Sequence, residues 1–175
     1  AVASEVQLLG LFWNRRVKAK SNRDDREVIL IKMARQMVNE RSLSVRKEEV
    51  YDPAFKEAWT ELLSDEVLKE LSSTEQQVAF SHNILFDYAV SILLIEDEPD
   101  KCTKFISEDH SRPLFLRPSL TYYFTRHWYD SPELFWNAFW NILPSSDFHL
   151  RLFARVLPTS VIAYEARHIE QLDPL

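Results

Sequence analysis

The histidines of this 175-residue chain are the side chains best able to bind a metal ion or to transfer a proton near neutral pH. There are five of them: His82, His110, His127, His149 and His168. A zinc site needs three or four ligands that converge on one point. Asp109 beside His110, and Glu165 three residues before His168, supply only two groups each. Cys102 is the single cysteine, so a cysteine-rich metal site and an internal disulfide are both excluded.

The sequence also lacks an arrangement typical of nucleophilic catalysis. Ser81 precedes His82, but neighbouring side chains diverge along a backbone, and no acid is placed to orient the imidazole. Carboxylates are plentiful, yet they are scattered over what would be the outer faces of helices. We therefore predict that the chain by itself catalyses no reaction.

Glycine is the scarcest informative residue type, with Gly10 as its single representative. A loop that cradles phosphates needs several glycines, because backbone amides must approach the phosphates closely and adopt left-handed angles. The chain therefore contains neither a P-loop nor a dinucleotide-binding loop. Asn-Gly hairpin turns are absent as well, which argues against a large antiparallel sheet. Together with eight prolines and long helical periods, this composition predicts a mainly α protein.

His82 is the most informative histidine because the hydrophobic period changes around it. Val78 and Phe80 alternate with their neighbours, which predicts a short, half-buried strand. Beyond His82, apolar residues recur at three- and four-residue spacing, which predicts an amphipathic helix that Ser81 or Asn83 could cap. His82 would thus lie at a strand-to-helix junction. Two interpretations are open: a side chain that faces a ligand, or a capping or core histidine bonded to the backbone.

Charge and hydropathy restrict the partners of the chain. A net charge of −6 and a pI of about 5.4 argue against general nucleic-acid binding, which requires a basic surface. The basic cluster near the start is interpreted as a solvated helix end; it consists of Arg15, Arg16, Lys18, Lys20 and Arg23. No apolar run reaches the roughly eighteen residues of a membrane span, and no basic leader opens the sequence. We expect a cytoplasmic protein without membrane or nucleic-acid partners.

Three helices are predicted in the first part of the chain. The first covers Glu5 to Lys20, and the second begins at Asp24 or Asp25. A capping acid followed by proline, Asp52 and Pro53, marks the start of the third. The second helix has a wide apolar face, which places it centrally in a bundle. That face consists of Val28, Ile31, Met33, Ala34, Met37 and Val38.

A small hairpin is predicted to follow these helices. Its strands are Val67–Leu71 and Gln76–Phe80, joined by a polar turn at Ser72–Glu75, although the first strand could equally finish the preceding helix. Ser42–Val45 is interpreted as a very short strand or an extended link, and Ser44 as the cap of a short helical turn. Three helices followed by a hairpin is the order of a winged-helix module.

An acidic, proline-containing break at Glu96–Asp100 separates two predicted domains. Residues 1–96 form the winged-helix-like module, and residues 97–175 form an aromatic-rich helical region packed on it. Proline breaks divide this region into short helices that resemble the start of an α-solenoid without a fixed repeat length. The breaks fall at Pro113, Pro118, Ser131–Pro132 and Pro144–Ser146.

The helix that begins at Pro132 has an apolar stripe at helical spacing. The stripe consists of Leu134, Phe135, Ala138, Phe139 and Ile142. Trp136 and Trp140 lie four residues apart and are rotated away from this stripe. They are a possible partner-facing surface, since aromatic side chains often anchor interfaces, although at least one of them is expected to be core.

The segment Phe80–Ser91, FSHNILFDYAVS, resembles the Phe-x-His-x-x-x-x-(Glu/Asp)-(Phe/Tyr)-x-Ala-Ala pattern of signal-transduction ATPases of the STAND class. It is closest to the winged-helix part of their NACHT-type modules. The similarity covers roughly Leu8 to Glu96 and includes the helix that carries Trp13–Arg16. Val90–Ser91 departs from the usual pair of small residues.

The resemblance implies a function for His82. In that family the motif histidine contacts the phosphates of a nucleotide bound by a separate P-loop domain, and holds the module closed in the diphosphate state. Asp87 matches the acidic position of the motif, with Phe80 and Tyr88 beside it as supporting residues. ATP or ADP is then expected only with the P-loop domain, and no cofactor in this chain. The implied function is a non-catalytic regulatory fragment that senses and relays nucleotide state.

A different class of function stays open beside this one. The chain could be a free-standing helical protein–protein interaction module, whose aromatic C-terminal half binds a protein partner. A Gly-x-x-x-x-Gly-Lys-Ser/Thr pattern upstream in the same reading frame would support the regulatory fragment and remove this alternative.

We expect the isolated chain to hydrolyse no ATP, because it lacks the glycine loop and its lysine. Phosphate release by the purified chain should equal that of a blank. Turnover above the blank, abolished by a point substitution within these residues, would contradict the prediction.

Overall fold

The computed structural model describes residues 4–72, 76–109, 111–143 and 152–174. The chain divides into two compact units, Ala1–Leu94 and Ile95–Leu175. Both units are mainly helical, and the first also holds one small antiparallel sheet. The predicted fold class, mainly α with one small hairpin, is thereby confirmed. The packing of the second region on the first stays a prediction. Among the described residues, no helix has the length and apolar character needed to cross a bilayer.

The first unit combines five α-helices with three strands in its described part. The helices are α1 (Glu5–Trp13), α2 (Arg23–Glu40), α3 (Lys47–Val50), α4 (Lys56–Ser64) and α5 (Asn83–Leu93). The strands are β1 (Val45–Arg46), β2 (Leu68–Ser72) and β3 (Gln77–Phe80). A π-helical turn, Asn14–Lys18, extends α1, and a 3-10 turn, Pro53–Phe55, precedes α4.

Helix α1 begins with a capping box. The Ser4 hydroxyl accepts from the backbone N–H of Gln7, while the Gln7 side chain accepts from that of Ser4. The predicted helix continues past Trp13, but in π-helical form as far as Lys18. Gly10 lies where a Cβ atom would come within 3.2 Å of the Tyr88 hydroxyl. The single glycine of the chain therefore allows α5 to approach α1 closely.

Helix α2 is central, as its wide apolar face predicts, but that face is rotated from the predicted one. Ile29 and Leu30 are buried, whereas Val28 is 48% exposed and Ile31 is half-buried. The prediction for Val28 is therefore wrong, while Met33, Ala34, Met37 and Val38 are buried as predicted. The helix crosses the unit against both α4 and α5. These neighbours determine which of its apolar residues face inward.

The sheet has the order β1–β3–β2, with both pairs antiparallel. Leu68 pairs with Phe80, which confirms the predicted hairpin, and Val45 pairs with Val78, so the segment near Val45 is a strand rather than a link. β3 is the central strand, and Ala79 is buried together with its neighbours. The half-buried alternation predicted for this strand is therefore wrong, because both faces of a central strand are covered here.

The predicted caps have mixed outcomes. The Asp52 carboxylate accepts from the N–H of Ala54 and Pro53 occupies the first helical position, which confirms this helix start. Ser44 does not cap α3, because its hydroxyl donates to the side-chain oxygen of Gln77 on β3. The predicted polar turn between the hairpin strands falls mainly on residues outside the described part of the chain.

The second unit is helical throughout its described residues. Its helices are α6 (Pro99–Ser107), α7 (Arg112–Phe115), α8 (Arg117–Asp130), α9 (Pro132–Ile142) and α10 (Leu152–Glu165), followed by a 3-10 turn, Ile169–Leu172. The predicted breaks at Pro113, Pro118 and Pro132 are confirmed as helix starts, with proline in the first or second helical position. The predicted break at Pro144–Ser146 lies outside the described residues.

Aromatic side chains form the core of the second unit. Phe124 and Phe135 are fully buried and meet edge to face, with ring centroids 6.0 Å apart. Trp128 also meets Phe135 edge to face, at 5.1 Å. Such geometry places the positive ring edge on the negative ring face and adds to the gain from burial. The aromatic density of this region is thus explained first by packing.

Arg26 is the buried charged side chain of the first unit, at 1% exposure, among the residues the structure describes. Its guanidinium donates to the carboxylate of Asp65 at 2.8 Å, to that of Glu61, and to the backbone carbonyl of Arg16 in the π-helical turn. One side chain of α2 thereby ties the end of the first helix to the end of α4. A buried guanidinium is tolerated only when its donors are satisfied in this way.

Among the acceptors of Arg26, Asp65 is the one that depends most on a nearby cation, because it lies at the C-terminal end of α4. The helix dipole disfavours a carboxylate there. Burial alone raises the pKa of Asp65, but hydrogen bonds from Arg26 and Lys20 outweigh burial and hold that pKa below its ordinary value. The ionised carboxylate is therefore the form that the fold stabilises.

We expect Asp65→Asn to lower the free energy of unfolding by about 3 kcal/mol, since it leaves Arg26 buried with an incomplete set of acceptors. Urea denaturation of the purified chain measures this loss. The matched control is Asp24→Asn, which removes a solvent-exposed pair with Arg23 and should change stability little. Equal effects of the two substitutions would contradict a central function for the Arg26–Asp65 pair.

Candidate functional site

His82 lies between the end of β3 and the first residue of α5, as the sequence predicts. Its backbone is extended, with φ −135° and ψ 144°, and its carbonyl accepts from the N–H groups of Leu85 and Phe86. His82 is therefore the N-cap residue by its backbone. The expected caps, Ser81 and Asn83, do not take this position.

The imidazole of His82 makes no capping hydrogen bond to α5, and the residue is exposed. His82 is therefore not a core residue, and it caps α5 through its backbone rather than through its side chain. The first amides of any helix lack intrahelical partners, so the start of α5 favours a negatively charged group near His82.

An open cleft of about 520 Å³ contains His82. Lys69 lines it and donates to the backbone carbonyl of Ser81 at 2.9 Å. Glu70 also lines the cleft but forms an ion pair with Lys47, with 2.8 Å between nitrogen and oxygen. Glu66 contributes a second carboxylate. Because Glu70 is paired with Lys47, the charges of Lys69 and Glu66 remain and cancel each other. The cleft is therefore close to neutral, apart from the imidazole of His82.

The other residues of the motif fix the position of His82. Phe80 is buried at the end of β3, and its ring centroid lies 5.9 Å from that of Phe86 on α5. Tyr88 is buried one turn further along and packs on Trp13 of α1 at 5.8 Å. Asp87, which precedes Tyr88 in the sequence, is half-buried. Strand and helix are thus both anchored in the core, while the histidine between them stays accessible.

The two tryptophans predicted as a partner surface differ in exposure. Trp136 is 7% exposed and packs edge to face on Phe135 and Phe139. Trp140 is 44% exposed and meets Phe139 edge to face, with ring centroids 4.9 Å apart. The two indoles therefore do not form a shared exposed face, and Trp136 is the member that belongs to the core.

A second histidine site, not predicted from the sequence, lies in the second unit. His127 is 1% exposed, and its Nε2 atom lies 2.9 Å from the Asp97 carboxylate. Arg126 donates to the same carboxylate oxygen at 2.8 Å. Among the residues that the structure describes, the Nδ1 atom of His127 has no hydrogen-bond partner. The feature of the sequence that indicates this site is the acidic break Glu96–Asp100, because it supplies the Asp97 carboxylate.

The charge state of His127 follows from its surroundings. Burial lowers its pKa, the nearby Arg126 lowers it further, and the attraction of Asp97 does not outweigh them. The imidazole is therefore neutral at pH 7. A hydrogen bond to the Asp97 carboxylate, which can only accept, requires the proton to be on Nε2. Burial raises the pKa of the Cys102 thiol, which belongs to the same unit, to about 12, so a reactive thiolate is not available.

No three metal-binding side chains converge within the described residues. His110 and His149 lie outside them. Comparison of the chain with protein-family models, with curated proteins and with solved structures gave no match. The resemblance to STAND-class ATPases therefore has no support from these comparisons and stays a prediction from the sequence pattern.

We expect the stability of the protein to fall as the pH drops below about 6.5, the pKa of a histidine in an unfolded chain. The reason is that protonation of His127 is disfavoured in the folded state and free in the unfolded state. Stability is therefore full above this pH and is lost progressively toward the lower pKa of the folded form. Melting temperatures between pH 8 and pH 5, spanning about three units around that value, measure the effect.

His127→Gln should flatten this dependence, because glutamine does not titrate. His168→Gln is the matched control at an exposed histidine and should leave the dependence in place. A slope that survives in His127→Gln and disappears in His168→Gln would show that His168, and not His127, causes the pH dependence.

Proposed function

We propose that this chain is a non-catalytic relay of nucleotide state, the regulatory part of a STAND-type ATPase. His82 contacts the phosphates of a nucleotide that a separate P-loop domain holds. The observation that carries the proposal is the exposed imidazole of His82, held at the start of α5 without a capping bond of its own. A side chain placed so is available to a ligand from outside.

The anchoring of the neighbouring residues supports a sensor. Phe80 fixes the end of β3 in the core, and Tyr88 fixes α5 against α1. A contact made at His82 is thereby connected to two elements that pack through the unit. A histidine on a loose loop would bind without transmitting a change, since relay requires an element with two defined arrangements.

The charge of the cleft supports dependence on a partner domain. The carboxylates at Glu66 and Glu70 offset the cations at Lys69 and Lys47. The cleft alone is therefore a weak phosphate site, and the scarcity of glycine denies the chain a loop of its own. Tight binding of a nucleotide is expected only where a P-loop domain supplies most of the phosphate contacts. His82 then adds one contact that depends on closure.

The second candidate, a free-standing helical interaction module, is favoured by the exposed indole of Trp140. Large exposed aromatic side chains are typical of protein-binding surfaces. The reading frame upstream of this sequence separates the candidates. A P-loop pattern in that frame supports the relay, while a free-standing chain without one supports the interaction module.

We expect His82→Phe in the parent protein to speed the release of bound diphosphate by roughly ten- to a hundredfold, the equivalent of one charge-assisted hydrogen bond. The melting temperature should stay nearly constant, because His82 is exposed. The dissociation rate of a fluorescent diphosphate nucleotide and the melting temperature are measured on the same preparation.

His82→Gln is the matched control, since an amide keeps a hydrogen-bond donor in a similar position and should restore part of the retention. A large fall in melting temperature with an unaltered dissociation rate would show that His82 is structural. Equal release rates for the Phe and Gln variants would show that a hydrogen bond from residue 82 does not account for the retention of the diphosphate.

A further inference from the structure

A cleft of about 460 Å³ opens in the second unit between the end of α8, the start of α9 and the turn after α10. Its volume lies in the range of small-ligand sites, about 300–1,000 Å³. We call it the indole cleft. Two tryptophans, two prolines and two glutamates line it: Trp128, Trp136, Pro132, Pro174, Glu133 and Glu170.

The walls of the indole cleft include two indole rings that the core holds in place. Trp128 and Trp136 are 5% and 7% exposed, so only a small part of each ring reaches the cleft and the rest is held in the core. Their centroids lie 6.1 Å apart, and both rings meet Phe135 edge to face. Because the core holds the two indoles, these rings need little rearrangement around an apolar group, which reduces the cost of binding.

Two carboxylates face this surface without a counter-ion. Within the described residues, Glu133 and Glu170 form no ion pair and no side-chain hydrogen bond. Other acids of the unit are paired: Lys101 contacts Glu98, and the Tyr129 hydroxyl donates to Glu165. The indole cleft therefore combines an apolar wall with two units of unbalanced negative charge.

The chemistry of an occupant follows from this combination. The two carboxylates would repel an anion, and a neutral apolar group would leave their charge unbalanced. A long apolar stem with a cationic head satisfies both parts. Among protein side chains, arginine fits best, because its planar guanidinium binds carboxylates with paired hydrogen bonds and is more weakly hydrated than an ammonium group.

We propose that the indole cleft binds an arginine side chain presented by a peptide segment of a partner protein. The stem of the arginine lies along the indole and proline rings, and the guanidinium pairs with Glu133 and Glu170. This binding site goes beyond the nucleotide relay and does not depend on it, since no residue of the His82 cleft takes part. It also assigns Trp136 a binding surface other than the pair with Trp140.

The test uses the full 175-residue chain with ¹⁵N-labelled tryptophan, whose five indole N–H signals are assigned from Trp→Phe variants. The probe is N-acetyl-arginine methylamide. Its neutral counterpart, N-acetyl-citrulline methylamide, has nearly the same shape without the charge. We expect the arginine probe to shift the signals of Trp128 and Trp136, and the citrulline probe to bind at least about tenfold more weakly.

The carboxylates are tested with the double variant Glu133→Gln, Glu170→Gln, which should weaken arginine binding at least about tenfold. The matched control, Glu57→Gln with Asp25→Asn, removes the same charge from exposed positions that do not line the cleft and should leave binding unchanged. Neither variant removes a buried side chain, so both should fold.

Several results would overturn the proposal. Unmoved signals from Trp128 and Trp136 would show that the cleft does not bind the probe. Equal binding of the citrulline probe would show that the positive charge does not contribute to binding. Equal binding of N-acetyl-lysine methylamide would show that the site does not prefer a guanidinium. Equal losses in the double variant and its control would show a general attraction of cations to an acidic protein.

Discussion

The buried guanidinium of Arg26 is the interaction on which the arrangement of the first unit depends. It joins α2 to the π-helical turn after α1 and to Asp65 at the end of α4. The next residue, Glu66, lines the His82 cleft, and the carbonyl of Val67 accepts from the N–H of Ser81. A chain of short-range contacts thus leads from a buried ion pair to the exposed histidine. Because this chain of contacts begins at a buried guanidinium and ends in a backbone hydrogen bond, the position of His82 depends on the packing of the unit.

Scarcity of glycine is the second constraint on the fold, because residues other than glycine must adopt the left-handed backbone angles. Arg41, Glu66 and Gln76 adopt left-handed backbone angles, with φ of 51°, 57° and 49°, at positions where glycine would be unstrained. Each such residue costs about 1–2 kcal/mol. Proline starts helices instead, as in α6 and α9. The same scarcity excludes a phosphate-binding loop, which is why a nucleotide function for this chain requires a second domain.

The two histidines show how far a sequence predicts a site. His82 was found because the hydrophobic period changes beside it, which is a local property of the chain. Its free imidazole was not predictable, since the choice between capping and exposure depends on which groups the fold brings near. His127 was missed because its partner, Asp97, lies 30 residues earlier in the chain. Likewise the spacing of Trp136 and Trp140 predicted one helix, but only packing decided that Trp136 is buried and Trp140 is exposed.

The sequence by itself determined the fold class, the hairpin, the helix starts at proline and the absence of a phosphate loop. These depend on period, capping and backbone freedom, which act over a few residues. Tertiary structure alone decided that Arg26 is buried, that Ile29 and Leu30 rather than Val28 face inward, and that β3 is covered on both faces. It also brought Glu133 and Glu170, which are far apart in the chain, to the lining of the indole cleft. Such features require residues distant in the chain to meet, and burial and charge pairing are defined only once they have met.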